Sequence, residues 1–213
     1  MPLYKSININ SQTNVKIWHI KETISSFLKD IRLRPQSKSR LDSMKSKTHK
    51  LGFLSARRLL MEFGYDDFDM CYDNFGKPLL ENGNYISISH SFEFSTVVVS
   101  KFPVGIDIQK QTKKVIDVAS KFIGIESMFL EVNEKYYLRN LTWIWCVKES
   151  LYKLYSKHGL SFKNQLVVLP IPSDNVTTSW ILDGQKRRDY KCFLFEINDY
   201  GLSVIQPRNG TTN

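Results

Sequence analysis

The chain has 213 residues, of which 42% are hydrophobic and 24% charged, and its formal net charge at pH 7 is +9. The length and the two fractions are ordinary for a soluble globular protein of one large or two small domains, but the net charge is not. No run of residues is long or apolar enough to span a membrane, and the first residues lack the apolar core of a signal peptide, so we expect neither.

The positive charge suits a polyanionic ligand, an acidic protein partner or nucleic acid. The three cysteines, Cys71, Cys146 and Cys192, are odd in number and widely spaced, which predicts neither a disulfide framework nor a zinc site. A reducing, cytoplasmic setting is the simplest one for such a chain.

The first half begins with short apolar alternations that predict one strand near residues 15–20. A segment dense in Lys, Arg and Ser follows, and we expect its middle to become helical near Ser39 or Leu41. Residues 51–63 carry apolar side chains at i, i+3, i+4 and i+7, which predicts a helix that Gly64 ends. Turn-forming residues predict a loop over 66–78.

Two paired strands are predicted next, over residues 85–89 and 95–102. Pro103 interrupts the second, and we place a boundary there, between domains 1–103 and 104–213.

The second half repeats the order of the first. A strand over 104–108 leads into helical segments over 113–122 and from about 134 to 157, and strands over 191–197 and 202–206 follow. A long helix followed by antiparallel strands, twice over, predicts an α+β tandem duplication without detectable sequence repeat.

The helix around residues 140–157 has two distinct faces. At about 100° per residue, its core stripe contains Trp143, Val147, Ser150, Leu151 and Leu154. A second face contains Trp145, Glu149, Tyr152 and Lys153. A Glu–Lys pair four residues apart is common on solvent-exposed helices, so this face alone does not indicate a site.

Three other short stretches contain polar residues where a strand or turn would not need them. Asp107 lies in the middle of an alternating strand, against β propensity. Residues 85–91 alternate and end in a Ser-His-Ser cluster, and Gly76-Lys77-Pro78 forms a turn that displays a lysine. Each has an ordinary explanation as a solvated strand end or turn.

Taken together, these stretches resemble the Sfp-type 4′-phosphopantetheinyl transferases over roughly residues 51–160. The residues that carry the resemblance are Gly76-Lys77-Pro78, Ser87-Ile88-Ser89-His90-Ser91, Gly105-Ile106-Asp107-Ile108, and Trp145 with Lys148-Glu149-Ser150 and Lys153. The resemblance implies a pseudo-twofold tandem of two similar α+β halves, with the active site in the cleft between them. It also implies transfer of phosphopantetheine from coenzyme A to a serine of an apo acyl or peptidyl carrier protein, with release of 3′,5′-ADP.

The resemblance implies a Mg²⁺ site, because a hard cation is typically held by carboxylates, substrate phosphates and water. Asp107 and Glu149 are the expected ligands. Many family members have an acid where this chain has Gln109, so Gln109 is a weaker candidate for the metal. Asp107, Glu149 and Lys153 are the expected catalytic residues, with Glu149 activating the serine directly or through water.

The resemblance also implies a set of residues that bind coenzyme A. They are Lys50, Arg57, Lys77, Pro78, Ser89, His90, Lys148 and Lys153. His49 and Lys47 are the alternative candidates to Lys50 and Arg57. His90 is expected at a phosphate of the adenosine end, with Lys77 nearby. Lys148 and Lys153 are expected to add positive charge around the phosphates.

Because both halves are present in one chain, a monomer is expected. The competing interpretations are a basic nucleic-acid-binding protein and a degenerate family member that binds coenzyme A without activity. The predicted strands lack the Lys, Arg and aromatic interleaving of an RNA-binding sheet, which disfavours nucleic acid. The carrier protein itself, from fatty-acid, polyketide or nonribosomal-peptide synthesis, is not indicated.

Overall fold

The structure is a computed structural model, which describes residues 3–132, 136–156 and 159–208. The chain divides into two compact units, Met1–Lys101 and Phe102–Asn213. No helix among the described residues is long and apolar enough to span a membrane. Each unit combines one antiparallel sheet with helices, which confirms the α+β class.

The first unit contains a six-stranded sheet of spatial order β1-β2-β6-β5-β4-β3. Its strands are β1 Leu3–Asn10, β2 Thr13–His19, β3 Met70–Tyr72, β4 Pro78–Leu80, β5 Tyr85–Ser91 and β6 Phe94–Ser100. Between β2 and β3 lie three helices, α1 Ile24–Asp30, α2 Pro35–Ser43 and α3 Lys47–Met61.

Helix α3 packs its apolar face into the core of the first unit. Ser46 caps its N-terminus by accepting a hydrogen bond from the backbone N–H of His49, a common way to begin a helix. Leu54, Ala56, Leu59 and Leu60 are fully or almost fully buried, at the spacing that the sequence predicted.

The second unit contains a five-stranded sheet of order β7-β11-β10-β9-β8. Its strands are β7 Gly105–Lys110, β8 Leu166–Val168, β9 Val176–Asp183, β10 Lys186–Ile197 and β11 Tyr200–Pro207. Its helices are the short α4, Lys114–Asp117, and the long α5, Tyr137–Tyr155. The predicted start of the long helix near 134 and its predicted end at Lys157 lie outside the described residues.

Helix α5 lies unusually close to the sheet of its unit at two glycines. A Cβ on Gly105 would collide with the carbonyl oxygen of Ser150, and one on Gly201 would lie 2.9 Å from the ring of Trp143. Across the same interface, the hydroxyls of Ser150 and Ser203 are 2.6 Å apart. These contacts fix α5 against β7 and β11.

The two units share one strand order, and this supports the predicted duplication. In each unit the strand that precedes the long helix (β2 or β7) pairs antiparallel with the last strand (β6 or β11). The remaining strands then follow in reverse chain order to the far edge of the sheet. Strand β1 is an addition to the first unit.

Several predicted element boundaries were wrong. The segment 66–78, predicted as a loop, contains β3 and the start of β4, and α1 and the edge strand β1 were missed. In the second unit, two strands were predicted after α5, but β8 and β9 precede them. These strands are short or carry Thr and Ser at alternate positions, so their apolar periodicity is weak.

Candidate active site

Asp107 and Lys153 form the centre of a polar cluster in the second unit. Asp107 lies in β7 and is only 2% exposed, and Lys153 Nζ on α5 is 2.7 Å from its Oδ1. Lys153 also donates to the carbonyl oxygen of Ile106, at 3.1 Å. The Lys153 side chain is 30% exposed, so the buried carboxylate is paired with a cation that reaches solvent.

Glu149 lies one turn before Lys153 on the half-buried face of α5. Burial, together with the negative charge of Asp107, raises the pKa of Glu149 to about 7, while Lys153 opposes the shift. The two carboxylates therefore influence each other electrostatically. A carboxyl with a pKa near neutrality can act as a proton acceptor at the pH of a cell.

The cluster has the chemistry that a Mg²⁺ site requires. Among the described residues, no three or more His, Cys, Asp or Glu side chains are grouped so that they could hold a metal, but Mg²⁺ does not need so many protein ligands. Mg²⁺ is usually held by one or two carboxylates, with water and substrate phosphate supplying the remaining oxygens. When ionised, Asp107, Glu149 and Lys153 together carry one net negative charge, and Asp107 and Glu149 provide hard oxygen donors, so the residues fit the ion.

Gln109 contacts the second carboxylate oxygen of Asp107. Its Nε2 donates to Asp107 Oδ2 at 3.1 Å, while Lys153 is bonded to Oδ1. The amide therefore orients the carboxylate of Asp107 from a position two residues further along the same strand. Ligation of a metal by Gln109 stays a prediction.

The pKa of Glu149 predicts a pH-dependent stability of the metal-free protein. The side chain has a pKa of about 4.3 in an unfolded chain and about 7 in the fold. Its favourable contribution is therefore complete below the unfolded value and is lost as the pH rises through 7. In EDTA, wild type should lose about 2–3 kcal/mol relative to Glu149→Gln between pH 5 and pH 8.

Urea unfolding at both pH values measures this difference. Glu131→Gln removes an exposed glutamate of the same unit, and it should follow the wild-type pH dependence. If the free energies of unfolding of wild type and Glu149→Gln change by the same amount between pH 5 and pH 8, Glu149 does not have a raised pKa in the fold. Adding Mg²⁺ at pH 8 should stabilise wild type more than Glu149→Gln, since wild type offers the ion two carboxylates and the variant one.

Lys148 does not belong to this cluster, which corrects the prediction that it binds coenzyme A. Its Nζ is fully buried and 2.8 Å from Glu126 Oε1, and it donates to the carbonyl oxygens of Phe122 and Phe162 at 2.6 and 2.9 Å. An ammonium group has three donors, and all three are used inside the protein.

Glu126 completes this buried pair. It also accepts hydrogen bonds from the backbone N–H groups of Gly124 and Val168, at 2.9 and 3.0 Å. Lys148 and Glu126 thus connect α5 to the short 3₁₀ helix Ile125–Met128 and to β8. We assign the pair to holding α5 in place beside Glu149.

His90 is the best-defined candidate for binding a phosphate in the first unit. It lies near the end of β5 and is exposed, whereas its neighbour Ser89 is buried, as the alternation of a strand requires. The imidazole lies so close to Gly52 of α3 that a Cβ there would overlap the ring. The ring of His49 is 6.0 Å away, edge-on, so two imidazoles meet near the N-terminus of α3.

The other predicted residues of the first unit lie on the same sheet and helix. Lys77 is half-buried, and burial lowers the pKa of its amine, although Asp73 opposes the shift. The backbone N–H of Lys77 donates to Asp73 Oδ1 at 2.9 Å, which fixes the turn before Pro78. Lys50 is partly exposed near the start of α3. Their roles in binding stay predictions.

Arg57 is buried, which corrects the prediction that it binds a phosphate. Only 2% of its side chain is exposed, and its Nε is 3.2 Å from Asp67 Oδ1. Its Nη2 donates to the hydroxyl of Tyr72 at 2.9 Å, and its guanidinium carbon lies 3.5 Å from the ring centroid of Phe53. Asp67 also accepts from Ser37 and from the backbone of Arg34, so this network joins α2 to α3.

Four residues near these sites were not found from the sequence. Glu126 lies in a short 3₁₀ helix, Ile125–Met128, and Asp67 in a turn, and neither segment has a periodic apolar pattern. Gly52 interrupts a good helix, a costly choice that could have indicated a close contact. Cys146 donates to the carbonyl oxygen of Gly201 at 3.3 Å, and burial and then the charge of Asp107 raise the pKa of its thiol.

Comparison with known families gives a match in the second unit. Residues 103–205 match the model of the 4′-phosphopantetheinyl transferase superfamily. A comparison with curated proteins gives no match. The second unit is therefore similar to the 4′-phosphopantetheinyl transferases. This confirms the family resemblance at the level of the superfamily, and membership of the Sfp-type group stays a prediction.

Proposed function

We propose that this protein transfers 4′-phosphopantetheine from coenzyme A to a serine of an apo carrier protein, with Mg²⁺ as cofactor. The observation that carries the proposal is the cluster of Asp107, Glu149 and Lys153, which lies in the unit that matches the superfamily. It combines a buried carboxylate, a carboxyl with a pKa of about 7 and a partly exposed lysine.

In the reaction, the serine oxygen attacks the β-phosphorus of coenzyme A. A new P–O bond forms to the serine, the bond to the bridging pyrophosphate oxygen breaks, and 3′,5′-ADP leaves with the electron pair. Glu149 accepts the serine proton, and Lys153 places positive charge near the phosphates. Mg²⁺, when bound by Asp107 and Glu149, would neutralise charge on the pyrophosphate.

The first unit contains groups that suit the phosphates at the nucleotide end of coenzyme A. His90, Lys77 and Lys50 are cationic or hydrogen-bonding side chains on one sheet and its helix, and phosphates are bound by such groups. Ser89 lies in β5, the strand that contains His90, and Pro78 is the first residue of β4, directly after Lys77. None of these residues has a role in the chemical step, so their loss should affect binding of coenzyme A more than turnover.

Gly52→Ala tests this assignment without removing a polar group. Alanine favours a helix interior by about 1 kcal/mol, so the fold should not lose stability. The added Cβ must displace the imidazole of His90. We therefore expect Gly52→Ala and His90→Ala to weaken binding of coenzyme A by a similar factor, about tenfold, measured by calorimetry.

The double variant sharpens this experiment, because two changes that act through one imidazole are not additive. Gly52→Ala combined with His90→Ala should bind as weakly as His90→Ala alone. Leu51→Ala, at the neighbouring position of α3, is the matched control and should keep near wild-type affinity. If the losses of affinity for coenzyme A in the two single variants add up in the double variant, Gly52→Ala does not act through His90.

The carrier protein would dock on the second unit. Before α5, that unit exposes Ile125, Met128 and Val132, which are 55%, 83% and 70% exposed. Exposed apolar groups of this kind mark protein-binding surfaces. Lysines of the same segment, at positions 113, 114 and 121, would complement an acidic carrier.

The proposal is tested by product analysis. Purified protein, coenzyme A and Mg²⁺ are incubated with apo carriers from fatty-acid, polyketide and nonribosomal-peptide synthesis, and 3′,5′-ADP is separated by chromatography. We expect release of 3′,5′-ADP that requires one of these carriers. Binding of coenzyme A without release, with every carrier, would favour the degenerate binding protein instead.

Two further features belong to this proposal. The matching strand order of the two units suggests that one chain contains both halves of the fold, so we propose a functional monomer. Its three cysteines are free, which suits a reducing cytoplasm.

A further inference from the structure

The β9–β10 hairpin of the second unit has an outer face that lies outside the core of that unit. Its inward side chains are buried in the core with those of α5, and they are Ile181, Tyr190, Cys192 and Leu194. Because side chains alternate along a strand, the residues between them lie on the other face. That face contains Trp180 on β9 and Arg187, Asp189, Lys191 and Phe193 on β10. It therefore combines two aromatic rings with two cations.

Each of the two rings lies beneath a cation. The guanidinium carbon of Arg187 is 4.9 Å from the ring centroid of Trp180, and Lys191 Nζ is 5.1 Å from that of Phe193. These contacts stabilise the hairpin by about 0.5–1 kcal/mol each, and they also hold each cation above a ring. Both rings are half-buried, whereas Arg187 and Lys191 are exposed. A partner therefore meets the charges first and the flat aromatic surface beneath them.

The exposed charge of this face is positive. Asp189 offsets part of it, since its Oδ1 is 3.3 Å from Arg187 Nε. Arg208 adds a further cation at the same place, because its backbone N–H donates to the carbonyl oxygen of Asp189 at 3.1 Å and the residue is exposed. Among these residues, three cations thus lie beside one carboxylate, so the face suits an anionic partner.

The shape of the face favours a nucleic acid over other anionic partners. Bases stack on aromatic rings and on guanidinium planes, while phosphates pair with cations. A protein partner would need exposed apolar groups to bury, and here cations cover the rings. Insertion into an anionic membrane would need rings that project, and both rings are half-buried. The strands predicted from the sequence lacked this interleaving, because β9 was not among them.

We propose that the outer face of the β9–β10 hairpin binds single-stranded nucleic acid without selecting a base sequence. A base stacks on Trp180 and the guanidinium of Arg187, and Lys191 and Arg208 pair with phosphates. Stacking of this kind tolerates any base, because every base has a flat face. The outer face is opposite to the face on which α5 packs. This binding is therefore separate from the proposed transfer reaction and requires neither Glu149 nor coenzyme A.

Fluorescence anisotropy of a short labelled oligouridylate, titrated with the protein at several salt concentrations, tests the inference. We expect a Kd of about 10⁻⁴–10⁻⁶ M near physiological salt, as is typical of non-specific binding. Lys191→Ala should reduce the slope of log K against log salt by about 0.7, the value for one phosphate contact on a single strand. Trp180→Leu should weaken binding about tenfold at unchanged slope. Trp180→Phe keeps a ring and should bind nearly as well as wild type.

Lys29→Ala is the matched control, since it removes the same charge from an exposed position of the first unit, and it should keep the wild-type slope. Saturating coenzyme A should leave the oligouridylate bound. Full displacement would assign the nucleic acid to the nucleotide-binding residues and overturn the inference. Polyglutamate that competes as well as the oligouridylate would indicate an acidic protein partner, and it would overturn the inference too. So would a wild-type protein that binds phosphatidylserine vesicles through Trp180 and Lys191 but no oligouridylate at low salt.

Discussion

Replacing Glu149 by Gln should lower the turnover number by about 10²-fold or more while coenzyme A still binds. The substitution keeps the size of the side chain but removes both a negative charge and a proton acceptor. The pKa of about 7 is what suits this carboxyl to accept the serine proton at neutral pH. Initial rates at saturating coenzyme A and carrier, with calorimetry for binding, measure the two effects separately.

Gln109→Ala is the matched control for this experiment. Gln109 touches Asp107 but adds no charge, and water can replace an amide dipole, so the loss should be less than about tenfold. Asp107→Ala should lose far more, because water cannot replace a charged ligand. A Glu149→Gln enzyme within threefold of wild type, with unchanged Mg²⁺ dependence, would remove Glu149 from the mechanism.

Replacing Lys148 by Ala should destabilise the fold by about 3–5 kcal/mol. The change leaves the carboxylate of Glu126 buried without its cation, because Lys148 and Glu126 are both 0% exposed. Chemical unfolding measures the loss. Lys153→Ala is the contrasting variant, since Lys153 is partly exposed, and it should lower activity much more than stability.

A double variant separates the buried charge from other causes. Lys148→Met combined with Glu126→Leu removes both charges and should recover much of the stability lost in Lys148→Ala. A Lys148→Ala protein of wild-type stability with a raised KM for coenzyme A would contradict a purely structural role for Lys148. It would return Lys148 to the phosphate-binding residues.

The sequence was informative where periodicity determines position. A helical period assigned Trp145, Glu149, Tyr152 and Lys153 to one face of α5, and these four residues are half-buried while their neighbours are buried. Alternation along β5 likewise separated Ser89 from His90. Both features depend only on local geometry, which a sequence specifies directly.

The sequence could not show which residues meet across the fold. Periodicity gave the position of Lys148 and Arg57 along their helices. Their partners Glu126 and Asp67 lie in a short 3₁₀ helix and in a turn, where no period indicates position. A lysine or arginine suits a phosphate and a buried carboxylate equally well. Burial decides between the two, and burial depends on elements that are distant in the chain.

The most direct test of the central claim is the intact mass of an apo carrier protein after incubation with this protein, coenzyme A and Mg²⁺. We predict that wild type adds one phosphopantetheine group to the carrier, that a carrier with the acceptor serine replaced by Ala stays unmodified, and that Asp107→Ala modifies neither. Unchanged mass of every carrier in the panel, with a folded protein that binds coenzyme A, would contradict the account.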